Sequence, residues 1–293
     1  MKYSIENDLF KVEVDECGAE LCSILSKGSG QEYIWQADPK VWKGAAPVLF
    51  PVIGGLKDGK YKFDGKTYQL PKHGFARESN KFRLINRTAS RLSFSIVSDE
   101  ETLVMYPFKF EMKISFFLFE SRLQVFHEIV NTDDKPMYFS LGGHPAFNYP
   151  WKDGESRDNY YLEFERKENN AIFVISENGL LTKEEKPQME ETNKLVLEDG
   201  LFDNDALVFS ELNSSEVSLK SKSSKGKISV NFDDFPFLGL WSKPNANFLC
   251  IEPWDGLPDF EDSDQELTRK PGIIKLGAGS IHYASYTIQI FEA

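Results

Sequence analysis

The sequence predicts an all-β protein, a large antiparallel β-sandwich, on three observations. Apolar and polar residues alternate with a period of two in several short segments, and clusters of turn-forming residues separate those segments. Large rings that suit half-buried pleated surfaces are abundant, with 24 Phe and 11 Tyr. Taking the elements in order, Phe10-Lys11-Val12-Glu13-Val14 alternates and reads as a strand with one buried face. The dipeptide Asp64-Gly65 before Lys66 marks a tight reversal, because Asp and Gly tolerate positive φ. Leu92 to Val97 alternates again. Asn131-Thr132-Asp133-Asp134 and Lys225-Gly226-Lys227 are further turns, and Tyr283 to Phe291 closes the series with Tyr286, Ile288 and Ile290 in phase. Lys152 to Gly200 is polar and irregular, and reads as a long excursion across one mouth of the sandwich. A βαβ fold would need helical patterns of ten or more residues between most strands, and the sequence lacks them. No internal repeat or low-complexity linker divides the chain, so residues 1–293 read as one domain.

Charge excludes several partners. Lys and Arg number 34 against 46 Asp and Glu, a formal net charge of -12 that repels nucleic-acid phosphates and anionic lipid headgroups. Glu6 and Asp8 interrupt the N-terminal stretch where a secretory signal needs an apolar run, so the expected location is the cytoplasm. The three cysteines, Cys17, Cys22 and Cys250, show no CxxC pairing and predict neither a disulfide framework nor a zinc cage. Cys250 lies in an apolar run and reads as a core residue. A Walker loop, a GxGxxG after a strand, HExxH and GxSxG are all absent from the sequence.

Two of the four histidines stand in unusual settings. His144 lies between Gly142-Gly143, which allow close backbone approach, and Pro145, which fixes φ; such a rigid bend is a good mount for a catalytic group. A histidine bonded to backbone at a strand end is the plainer reading, and it is the one given to His127 and His282. His73 sits in Lys72-His73-Gly74-Phe75-Ala76-Arg77. Glu252 ends the apolar run Phe248 to Ile251 just before Pro253-Trp254, so partial desolvation is expected to raise its pKa, which suits a general base; a carboxylate satisfied by arginine or backbone donors is the alternative. The run Asp259 to Glu266 reads as a solvated acidic loop. Asp205 opens a hydrophobic stretch and reads equally as a turn residue.

Together Lys72-His73-Gly74-Phe75-Ala76-Arg77, His144-Pro145-Ala146-Phe147-Asn148 and Ile251-Glu252-Pro253-Trp254 resemble the aldose 1-epimerase family, in matching order and over nearly the whole chain from Ile5 to Ile290. The resemblance implies a galactose-mutarotase-like supersandwich that interconverts the α and β anomers of a hexose. It assigns His144 as general acid and Glu252 as general base, with His73, Arg77 and an acidic residue at Asp205 or Asp203 on sugar hydroxyls. Trp241 or Trp254 would offer an apolar ring face to the sugar. Proton transfer between an imidazole, a carboxylate and sugar oxygens needs no cofactor and no metal. The galactose enzymes carry a bulky aromatic after the His-Pro dipeptide where this chain has Ala146, so the hexose itself stays open. The expected partner is a small sugar, with no nucleic acid or membrane, on a monomer or homodimer. Three other readings remain: a hexose-6-phosphate mutarotase, a non-catalytic carbohydrate-binding or sensing protein, and, last, a glycoside hydrolase, whose usual pair is two carboxylates. The leading reading expects His144 and Glu252 on opposite sides of one cleft, with His73 and Arg77 along its wall.

Overall fold

The computed structural model describes residues 1–151 and 154–292. Its main feature is a 15-stranded sheet in which every neighbouring pair of strands is antiparallel. From one edge the strand order begins Val48–Leu49, Leu141–Gly143, Phe248–Asp255, Phe237–Trp241, Leu207–Ser210 and Tyr160–Ile175. It continues through Glu216–Ser221, Lys227–Asn231, Ile281–Phe291, Arg122–Asn131 and Phe110–Phe119 to Arg91–Val97 and Arg83–Arg87. A three-stranded N-terminal sheet, Lys2–Glu6, Phe10–Asp15 and Glu20–Ser26, packs near the far edge, where Tyr3 meets Phe94. Among the described residues the one α-helix is Glu100–Met105, started by an Asp99 capping box with Thr102, and no helix is long and apolar enough to cross a membrane.

The alternation in the sequence fixes which face each strand buries. Phe10, Val12 and Val14 are buried on one strand, and Ala284, Tyr286, Ile288 and Ile290 on another. The Asp64-Gly65 turn joins Lys60–Phe63 to Lys66–Gln69 with both turn residues at positive φ, the two-residue geometry that matches strand twist. Arg91–Val97 departs from the one-faced expectation: Ser93 and Ser95 are also buried, and Ser93 Oγ bonds Ser115 Oγ across the ladder at 2.8 Å.

The polar stretch expected to be an irregular excursion is instead a long hairpin. Tyr160–Ile175 pairs with Leu181–Val196 through four register shifts. The inward positions keep one phase on each strand, Tyr160, Leu162, Phe164, Glu168 and Ile172 on the first and Leu181, Met189 and Leu195 on the second, but beyond Phe164 they are few, far apart and include a carboxylate, so little period-two apolar signal is left in the sequence. Lys152 at the start of that stretch lies outside the described residues.

The acidic run is corrected in part. Glu261 is exposed, but Asp259 is only 2% exposed and pairs with Lys270 Nζ at 2.6 Å. A carboxylate can be buried this deeply only beside a compensating charge and donors, which a reading of one acidic run does not reveal.

Candidate active site

His144 and Glu252 ride on one ladder. Leu141–Gly143 and Ala146–Asn148 both pair with Phe248–Asp255, Gly142 facing Trp254 and Ala146 facing Cys250. The same register carried across the break sets His144 opposite Glu252, a cross-strand pair. Pro145 has no N–H to give the ladder, but its carbonyl still accepts from Ile251 N–H at 3.1 Å. The glycines beside His144 serve close approach: a Cβ on Gly143 would lie 2.6 Å from the Tyr286 ring. His144 Nε2 is 3.2 Å from Glu252 Oε2. The two groups are therefore adjacent rather than across a cleft from one another, because strand pairing, not a gap between walls, brings them together.

One cavity of about 530 Å³ collects His144, Glu252, His73, Arg77, Asp205 and Trp241, all six residues singled out in the sequence. His73 is turned into it by consecutive positive φ angles of 67° at His73 and 73° at Gly74, and a Cβ on Gly74 would overlap the Phe50 carbonyl. His73 exchanges two bonds with Gly54: its N–H donates to Gly54 O at 2.8 Å, and Gly54 N–H donates to its Nδ1 at 3.1 Å. The second bond leaves the ring proton on Nε2, so a neutral His73 is a donor at that atom. Arg77 follows in the 3-10 turn Ala76–Glu78. Asp205 has a φ of 76° and its carboxylate accepts from its neighbour's N–H, that of Ala206, at 2.9 Å. Asp203 lines the same cavity, so both acidic candidates reach it.

Other residues at the site were not singled out by the sequence. Trp42 stacks on His144 with centroids 5.1 Å apart, while Trp241 meets the same imidazole edge-on at 5.9 Å. Trp254, weighed in the sequence as an alternative to Trp241, also lines the cavity, as do Gly54, Lys72 and Pro258. The Trp42 segment, Trp42-Lys43-Gly44-Ala45-Ala46-Pro47, offers no alternation, and only its ring beside Gly and Pro hinted at a special loop.

Burial dominates the electrostatics. It pushes Glu252 well above the ordinary carboxylate range, and it lowers His144 to about 3, with the positive charge of Arg77 acting in the same direction. His73 is held well below the usual imidazole value by burial and by the neighbouring His144. Three buried polar atoms here have no hydrogen-bond partner: His144 Nδ1, Glu252 Oε2 and Trp254 Nε1. Orphaned polar atoms are costly in a protein interior, and their concentration in one cavity marks a place prepared for a polar ligand.

Of the two histidines given a plain reading, His127 is buried with Nδ1 3.3 Å from Ala284 O, and His282 instead places Nε2 3.2 Å from the Asp255 carboxylate. Among the described residues the donors of His144, Cys250 and Glu252 lie within 4.8 Å of one another, a grouping the cysteine spacing did not suggest. Cys250 is fully buried and burial raises its thiol well above the usual range, so that donor is held in its poorly ligating form.

Comparison with known proteins gives a consistent result. The family model for aldose 1-epimerase matches residues 1–272. The chain is 34% identical to the chromosomal protein LacX of Lactococcus lactis subsp. lactis over 301 aligned residues, covering 100% of both. It is similar to a galactose mutarotase related enzyme from Lactobacillus acidophilus, with 36% identity and a TM-score of 0.95 over 100% of this chain and 98% of that one. A galactose mutarotase-like protein from Lactobacillus casei gives 32% identity and a TM-score of 0.93, with 99% and 100% covered.

Proposed function

The chain belongs to the aldose 1-epimerase family, and from that premise we propose that it interconverts the α and β anomers of a free hexose, with Glu252 as general base and His144 as general acid. One observation carries this reading: a buried imidazole and a buried carboxylate 3.2 Å apart, with unpartnered atoms in a cavity large enough for a sugar.

Ring opening moves two protons and breaks one bond. Glu252 takes the proton of the C1 hydroxyl as its electrons form the aldehyde carbonyl, the C1–O5 bond breaks, and His144 delivers its proton to O5. The pair carries one proton throughout, as imidazolium and carboxylate before opening and as imidazole and carboxylic acid after it. Rotation about C1–C2 presents the other face of the aldehyde. Closure then returns the proton from Glu252 to the carbonyl oxygen while His144 recovers that of the C5 hydroxyl, so the site ends as it began.

The pKa directions bear on this cycle. Burial favours the uncharged pair, which is the state during the life of the open-chain aldehyde. The charged pair needs solvation that a dry pocket lacks, and sugar hydroxyls are well placed to supply it to the orphaned Glu252 Oε2 and His144 Nδ1. His73 Nε2–H and Arg77 act as donors to other hydroxyls, Asp205 or Asp203 as an acceptor, and Trp241 as an apolar wall.

A phosphorylated hexose is the second reading, favoured by one observation. Lys72 and Arg77 both line the cavity, and among the described residues neither has a carboxylate within ion-pair distance. The acidic Asp203 and Asp205 on the same cavity weigh against a dianion. Polarimetric decay of freshly dissolved α-anomers, over a panel of neutral and 6-phosphorylated aldoses, tests both. Acceleration of neutral hexoses is expected; preference for the phosphates selects the second reading, and no acceleration of any sugar overturns both.

A further inference from the structure

The buried ion pair Asp259–Lys270 makes no contact with the cavity itself, yet it holds segments that build the cavity wall. Lys270 Nζ donates to Asp259 Oδ1 at 2.6 Å, and Lys57 N–H donates to Oδ2 at 2.9 Å. The Asp259 backbone is engaged as well: its N–H donates to Gly55 O at 2.9 Å and its carbonyl accepts from Leu181 N–H at 2.9 Å. Pro258, immediately before it, packs so closely on Gly54 that a Cβ there would overlap the proline ring. Gly54 is the residue whose N–H donates to His73 Nδ1.

A line of direct contacts therefore runs from Lys270 to Asp259, to the segment 54–57, and to the imidazole of His73. The hairpin that Leu181 begins to close carries Ile175 and Gly179, which border the same cavity. Stability alone does not require ions at this place, since a well-packed apolar pair of similar volume serves a buried position as well or better. What the carboxylate adds is direction. Its two oxygens accept from two different segments, and a ring held by one backbone N–H needs that backbone fixed to a fraction of an ångström.

We propose that Asp259, with its charge balanced by Lys270, is a positioning residue for the sugar site. It fixes the segment 54–57 so that the Gly54 amide holds His73 with its proton on Nε2, facing the sugar. This rests on the proposed role of His73 as a sugar donor. The pair acts on binding geometry and not on proton transfer, which belongs to a different ladder.

The test compares single and paired replacement. Asp259→Asn leaves Lys270 and Lys57 N–H facing an amide that cannot accept from both in the same way. Asp259→Leu/Lys270→Met removes both charges, and its thermal midpoint is expected to recover toward that of the unaltered chain. In both variants KM for the best aldose should rise about tenfold while kcat stays within about twofold, as displacement of a binding group implies. The ¹⁵N shifts of His73 should lose the signature of a fixed Nε2–H tautomer, and Lys270→Arg, which keeps the carboxylate and its balancing charge, should retain both readouts. Recovery of KM together with stability in the double variant would make the pair merely structural, and an unaltered His73 tautomer in Asp259→Asn would overturn the proposal outright. If the double variant does not fold, Asp259→Asn and Lys270→Arg carry the same readouts. If the unaltered chain accelerates no sugar, the functional reading fails, while the His73 tautomer still decides whether Asp259 positions that ring.

Discussion

Replacing Glu252 by Gln should separate activity from stability in opposite directions. Glu252 is 1% exposed, its Oε2 accepts no hydrogen bond, and burial already disfavours its ionised form. An orphaned acceptor of this kind costs roughly 1–3 kcal/mol. The amide is uncharged, and at 3.2 Å from His144 Nε2 it can give that ring a donor. Taking the low end, a relief of ~1 kcal/mol raises the thermal midpoint by about 2–4 °C for a chain of this size. The same change removes the proposed proton acceptor, a loss that typically costs 10²–10⁴-fold in kcat, while sugar binding should persist. Calorimetry and polarimetry on the same preparations read the two effects. A variant that loses stability along with activity would show the carboxylate to be a structural tie and refute the account of a strained base. A variant that keeps near-normal turnover would move the base elsewhere, with Asp205 next to be replaced.

Three more outcomes are expected. The kcat–pH profile should lack an acid-side limb at the ordinary imidazole value near 6.5, because His144 is lowered to about 3; activity should hold down towards that value and fall on the alkaline side as the last proton leaves the pair, and an acid-side limb centred near 6.5 would contradict this. His127 is lowered to about 4 by burial, so the unfolded chain binds the extra proton first and stability declines as pH drops below 6.5; its share of the loss should reach ~2 kcal/mol by pH 5, beside the shares of His144 and His73, read as a fall in thermal midpoint that His127→Asn lessens by that share without abolishing it. Gly74→Ala forces a Cβ onto the Phe50 carbonyl at a φ of 73° and should destabilise by ~3 kcal/mol or more in chemical denaturation, whereas Gly65→Ala, at a turn with open space around it, should cost much less.

The parts of this molecule legible in the sequence are those whose signal is local. Phe10 to Val14 and Tyr286 to Ile290 declare their inward face by alternation alone, and Asp64-Gly65 declares its turn by backbone tolerance. His144, between glycines and a proline, and Glu252, at the end of an apolar run, were visible for the same reason. What was hidden depends on pairing between distant segments. The cross-strand adjacency of His144 and Glu252 follows from a register that no single segment encodes, and it replaced an expected gap with direct proximity. The hairpin from Tyr160 to Val196 disappeared from the pattern because its inward positions are sparse beyond Phe164 and one of them is Glu168. Asp259 looked like one more acid in a solvated run, since its partner Lys270 is eleven residues away. Trp42 offered only a ring beside Gly and Pro, with nothing to say that the His144 ring lies against it.

The ladder that seats His144 opposite Glu252 also bears on timing. Many active sites are completed only when a flap or a domain closes, and turnover then waits on that motion. Here both groups are fixed by hydrogen bonds of one sheet before any ligand arrives, so assembly adds no waiting time to the reaction cycle. A site that stays open leaves its intermediate in reach of water, a serious liability for enzymes whose intermediates hydrolyse. An open-chain sugar carries no such penalty: hydration of its aldehyde is reversible, and its own C5 hydroxyl competes intramolecularly for the same carbon. Turnover on this scaffold should therefore be insensitive to added viscogen until substrate encounter itself becomes limiting.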